Sequence, residues 1–130
     1  ARGDSNHWVA MDGPEKLGGL ESGSRPMEVV LMALGGCTAM DVASILQKKR
    51  APVEDFAIEV EAERADEHPK VYTKIHVKYV ITGSGVKARD VERAIELSED
   101  KYCSVTAMLR KTAEMTSSFE IRESPASSDA

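Results

Sequence analysis

Two cysteines, Cys37 and Cys103, are the residues of this chain best suited to chemistry. A thiolate is both a nucleophile and a metal ligand, but it forms only where positive charge or hydrogen-bond donors favour it. Cys37 lies in "ALGGCTAMDV", residues 33–42, directly after two glycines in an apolar run. A helix there would favour alanine over each glycine by roughly 1 kcal/mol. The glycines remove volume immediately before the sulfur, so that another helix or a second chain can approach it closely. Asp41 follows one turn later, and an ionised carboxylate there disfavours a thiolate. The N-terminal charge of the helix is about three turns away and out of useful reach. An activating cation must therefore come from elsewhere in the fold, with Arg2 and Arg25 as the candidates.

Cys103 follows "EDKY" and opens a short helical segment, which directs the amides of residues 104–106 toward its sulfur. Either cysteine also reads as a small apolar packing residue. The two form a redox pair only if folding brings their Cα atoms within about 7 Å. His7, His68 and His76 are scattered, with no zinc-type spacing, so no metal ligands are expected. Met27, Met32, Met40 and Met108 read as packing residues.

The elements that must position the thiols follow from periodicity. "HWVAMD" (7–12) alternates weakly and predicts a short strand; residues 13–26 are loop, with Ser24 and Pro26 as helix-entry residues. Residues 27–50 predict a long helix, opened favourably by the acidic Glu28 and closed by a basic cluster at residues 48–50. Between Val29 and Leu46 it is apolar or small on nearly every side, as a centrally buried helix is. Residues 55–66 alternate, with Phe56, Ile58, Val60 and Ala62 on one face; residues 71–82 do the same with Ile75, Val77, Tyr79 and Ile81. Together they predict a hairpin with acids facing Lys74 and Lys78. Residues 88–102 predict an amphipathic helix carrying Val91, Ala94, Ile95 and Ser98 on one stripe. A short helix at 103–113, a strand at 117–123 and a disordered tail at 124–130 follow.

Composition narrows the function. The chain has 130 residues, 42% of them hydrophobic and 30% charged, which suits one soluble globular domain. A net charge of -5 without a basic stripe argues against a nucleic-acid partner. Two cysteines without a secretory leader point to a reducing cytoplasm. Residues 27–46 are the one membrane candidate, and Glu28 and Asp41 are expected to disqualify it. The chain opens without a methionine, close to strand-like sequence, so an upstream strand is expected to be missing.

"RPMEVVLMALGGCTAMDV" around Cys37 and "LSEDKYCSVTAML" around Cys103, on two helices with a hairpin between them, resemble the OsmC family. This is the osmotically inducible protein C and organic hydroperoxide resistance group. The resemblance spans residues 1–123 as a single domain and is nearest to the less characterised OsmC-like branch. It implies an α+β fold with antiparallel sheets wrapped around long central helices, in an intertwined, obligate homodimer. It also implies a thiol peroxidase that reduces organic hydroperoxides to alcohols, with no cofactor beyond an external dithiol reductant. Cys37 would be peroxidatic and form a sulfenic acid, and Cys103 would resolve it as a disulfide. Arg2, in "ARGD", matches the place of a thiolate-stabilising arginine. The family glutamate directly follows a proline; here that position is Met27, and Glu28 comes one residue later, rotated by about 100° on a helix. The alternative on the same scaffold is a non-enzymatic redox sensor or small-molecule-binding dimer, and a third reading leaves both sulfurs as packing atoms.

Overall fold

The computed structural model describes residues 1–125, and the expected tail at 124–130 falls almost wholly outside them. The chain folds as two compact units, Ala1–Ala33 and a second beginning at Leu34.

In the first unit the expected strand at 7–12 does not form. Arg2 pairs with Trp8 and Met11 with Ser24 only as isolated bridges. The backbone turns back on itself instead, with Asn6 at φ 63° and reciprocal bonds between Ala1 and Val9. Asp12 then gathers the amides of Gly13, Leu20 and Ser22 at 2.8, 3.0 and 3.1 Å. These donors hold its carboxyl below the usual range, the Gly13 amide most strongly. That loop contains a short 3₁₀ turn, Glu15–Leu17.

Helix α1, Pro26–Lys48, starts with one half of a capping box: the Arg25 amide donates to Glu28 Oε2 at 3.1 Å. It ends with Arg50 at φ 55° and the Ala51 amide bonded to the Leu46 carbonyl, a left-handed stop. Its length and apolar composition do suffice to cross a membrane, with a mean hydropathy of 1.9 over its best 18 residues. Glu28 and Asp41 therefore do not disqualify it by themselves, contrary to the sequence expectation. Only one stripe of it is buried, Leu34, Thr38, Val42 and Leu46 at i, i+4 spacing, so it is not the centrally buried helix its composition predicts.

Strands β1 (Asp55–Arg64) and β2 (Tyr72–Thr82) form the expected antiparallel hairpin. Phe56, Ile58, Val60 and Ala62 lie opposite Ile81, Tyr79, Val77 and Ile75, so the two apolar rows share one face. Phe56 and Tyr79 stack with their rings 8° from parallel. On the other face Glu59 lies opposite Lys78 and Glu63 opposite Lys74. Gly83 begins the next turn because a Cβ there would run into the Pro52 carbonyl oxygen, and Gly85 supplies a φ of +83°.

Helix α2 (Ala88–Leu97) buries Val91, Ala94 and Ile95, as its stripe predicts. It does not continue evenly to Tyr102. Residues Ser98–Tyr102 form a π turn in which the Cys103 amide reaches the Ser98 carbonyl at 2.7 Å. Helix α3 (Ser104–Leu109) follows, then β3 (Glu114–Arg122), three residues earlier than expected. β3 joins β2 in parallel, giving one mixed sheet in the order β1-β2-β3. The expected antiparallel arrangement thus holds for the hairpin and not for the third strand. The intervening helices return the chain to the end of the sheet where β2 begins, so β3 can only run alongside it.

Candidate active site

Two helices and the π turn of the second unit converge on one cluster. Cys37, midway along α1, is half-buried; Cys103, between the π turn and α3, is 3% exposed. Their sulfurs and a carboxylate oxygen of Asp41 all lie within 4.8 Å of one another. Both thiols are free.

Local geometry explains the convergence. Cys37 and Asp41 share a face of α1 because they are one turn apart. Opposite them, Ser98 is fully buried at the start of the π turn and donates to Asp41 Oδ2 at 3.0 Å. The π turn then swings Cys103 into the N-cap position of α3, where its Sγ accepts the Thr106 amide at 3.4 Å. Arg110 holds the turn from outside, donating to the Glu99 carbonyl at 3.1 Å with Asp100 at 3.8 Å.

The same helix start serves the second sulfur, since the Val105 amide donates to Cys37. This favours a thiolate, but it is outweighed. Burial pushes the Cys37 thiol up, and the neighbouring Cys103 thiol and the Asp41 carboxylate push it further in the same direction. No cation figures among these strongest influences. Tyr79 is fully buried and donates to Glu99 Oε1 at 3.4 Å. Burial lifts its phenol far above the ordinary range, so it stays a neutral donor.

The other sequence candidates occupy defined places. Arg2, Arg25 and Glu28 belong to the first unit. The Arg2 guanidinium lies 4.9 Å from the Trp8 ring centroid and bonds Asn6 at 3.0 Å. Arg25 pairs with Glu21 at 2.9 Å, and Glu28 caps α1. His76 uses both ring nitrogens on Thr116 and Ser118 of β3, at 2.7 and 2.8 Å. The Gly35 backbone meets β1 rather than a helix: a Cβ there would touch Ile58 and Val60 at 3.6 Å.

Sequence reasoning missed Ser98, Tyr79 and Thr38 as neighbours of the sulfurs and weighed Asp41 only as an unfavourable charge. The available signal was polar residues on otherwise apolar faces: Asp41 and Thr38 on α1, Ser98 on the α2 stripe.

A sheet with helices bringing two thiols together from distant parts of the chain defines a family as well as a site. The chain belongs to the OsmC-like protein family, whose model matches residues 19–118. It is 44% identical over 117 residues to Protein YhfA of Escherichia coli (strain K12), covering 90% of this chain and 84% of that one. A hypothetical protein from Aquifex aeolicus VF5 has a similar structure, with a TM-score of 0.76 and 39% identity over 81% of this chain and 79% of that one. The fold also matches an organic hydroperoxide resistance protein OsmC from Legionella pneumophila, with a TM-score of 0.65 and 14% identity over 90% and 85% of the two chains.

Proposed function

We propose that this protein is a thiol-dependent peroxidase for organic hydroperoxides. The observation that carries the reading is the meeting of Cys37 and Cys103 at the start of α3, whose amides donate to both sulfurs. In the proposed cycle the Cys37 thiolate attacks the distal peroxide oxygen. The O–O bond breaks, the leaving alkoxide takes a proton to become the alcohol, and Cys37 becomes a sulfenic acid. Cys103 sulfur then attacks Cys37 sulfur, expelling water and closing a disulfide, which an external dithiol reduces. The half-buried Cys37 suits the first role, since peroxide must reach it. The buried Cys103 suits the second, which needs access only to its neighbour.

Arg2 is the guanidinium proposed to hold the thiolate, by family resemblance, with Glu28 in the place of the family glutamate. A homodimer is also proposed. Met40 is 76% exposed on α1, and a Cβ at Gly36 would have no neighbour within 4 Å, which leaves that face of the helix open to a second chain. Free thiols fit a reducing cytoplasm.

The test is consumption of cumene hydroperoxide with a dithiol reductant. Cys37→Ser is expected to abolish turnover, and Cys103→Ser to leave a stoichiometric first reaction without sustained cycling. Unchanged consumption by Cys37→Ser would remove the reading. One observation favours a second reading, a redox sensor or small-molecule-binding dimer: the Cys37 thiol is pushed up by its surroundings. A wild type that oxidises stoichiometrically but does not cycle would select it.

A further inference from the structure

We propose that the reduced protein binds one soft divalent metal ion, of the zinc class, through Cys37, Cys103 and Asp41. Contiguous spacing gave no sign of such a site because its ligands come from two regions of the chain. The fold assembles them: two sulfurs and one carboxylate oxygen lie within 4.8 Å of one another. Around tetrahedral zinc, bonds of about 2.3 Å to sulfur and 2.0–2.2 Å to oxygen put ligand atoms about 3.4–3.8 Å apart. The 4.8 Å limit of the present spacing lies about 1 Å beyond that range.

The chemistry of the set fits a borderline-soft cation. Two thiolates and a carboxylate select zinc-type ions over magnesium or calcium, which take oxygen ligands. As metal-free protein the cluster sets a carboxylate beside two thiols; with the ion bound, the same three groups become complementary to it, and the thiols bind as thiolates with release of their protons.

The surroundings are those of oriented ligands. Ser98, fully buried, holds one Asp41 oxygen in place. The Val105 and Thr106 amides donate to the two sulfurs, which stabilises thiolates against the surrounding apolar groups. Thr106, 1% exposed, carries a hydroxyl without a hydrogen-bond partner among the described residues, one turn from Cys103. Three protein ligands leave a fourth position, and the half-exposure of Cys37 gives it access to water or an external thiol.

The site uses the sulfurs of the peroxidase reading but does not depend on turnover. Metal-free, fully reduced protein is titrated with Co²⁺ and then with Zn²⁺. The expected result is one Co²⁺ per chain with a thiolate-to-cobalt charge-transfer band, displaced by Zn²⁺. Cys37→Ser and Cys103→Ser each abolish the two-thiolate band. Asp41→Asn, folded as judged by circular dichroism, weakens binding by at least the roughly tenfold loss that even outer partners of metal ligands produce. A wild type with no charge-transfer band overturns the proposal, as does undiminished uptake by the double cysteine variant. If Asp41→Asn fails to fold, a metal-induced rise in the melting temperature of wild type that is absent in Cys103→Ser supports the site, and equal rises in both overturn it. Peroxide consumption by the metal-free protein is measured separately, so loss of either conclusion leaves the other standing.

Discussion

Ser98 Oγ donates to Asp41 Oδ2 across 3.0 Å, joining the first residue of the π turn to the helix that carries Cys37. The donor is fully buried and the acceptor partly so, which makes this a charge-assisted bond at the level of the two sulfurs. It is the polar link that keeps Asp41 turned toward the thiols.

Removing that link has a measurable cost. Ser98→Ala is expected to destabilise the protein by about 1.5–2 kcal/mol, the lower part of the range for bonds to charged groups because Asp41 is only half-buried. Urea unfolding checks this, and an unchanged midpoint would show that the bond contributes nothing.

The charge on Asp41 is one of the groups that hold the Cys37 thiol up. Asp41→Asn keeps the shape and removes the charge, so Cys37 ionises more readily. The rate of iodoacetamide alkylation of Cys37 against pH is expected to move to lower pH in the variant. A superimposable profile would mean that Asp41 is screened from the sulfur.

Alkaline stability follows from linkage. The Cys37 thiol and the Tyr79 phenol both have folded pKa values above their unfolded ones, so the native state holds their protons more tightly. Their stabilising contribution is complete below the unfolded values, about 8.5 for cysteine and 10 for tyrosine, and is lost as pH rises through the folded ones. The melting temperature should therefore fall from about pH 8.5 upward, less steeply in Cys37→Ser, and less steeply above about pH 10 in Tyr79→Phe. Parallel curves for all three proteins would contradict this.

Gly35 tests why the helix is weakened beside the thiol. An added Cβ would make ordinary contacts with Ile58 and Val60 at 3.6 Å, so nothing among the described residues demands glycine there. Gly35→Ala is expected to raise stability by up to about 1 kcal/mol through helix propensity. Destabilisation would mean that the contacts of that Cβ with Ile58 and Val60 outweigh the gain in helix propensity.

Much of this architecture was legible in residue order. Alternation in residues 55–66 and 71–82 predicted the hairpin faces, because the apolar side of each strand is the less exposed one. The stripe Val91, Ala94, Ile95 and Ser98 fixed the buried face of α2, and the helix opening at Cys103 placed amides at its sulfur. The strand at 7–12 failed because the hydrogen bonds Asp12 accepts and the tight turn at Asn6 outweigh weak alternation. The parallel placement of β3 depends on where three preceding elements deliver the chain, and no local pattern records it. At the site, both thiols were visible as candidates, whereas their meeting with Asp41 and Ser98 is a tertiary fact.

The π turn at Ser98–Tyr102 makes this site sensitive to chain length as well as to composition. Deleting any one of its five residues would let α2 run on as an ordinary helix. The residues beyond would then rotate by about 100° and retreat by about 1.5 Å. Cys103 would point away from its counterpart with both thiols and Asp41 still present. The dithiol is thus encoded partly by a count of residues, which makes a single-codon deletion there more damaging than most substitutions of the same five positions.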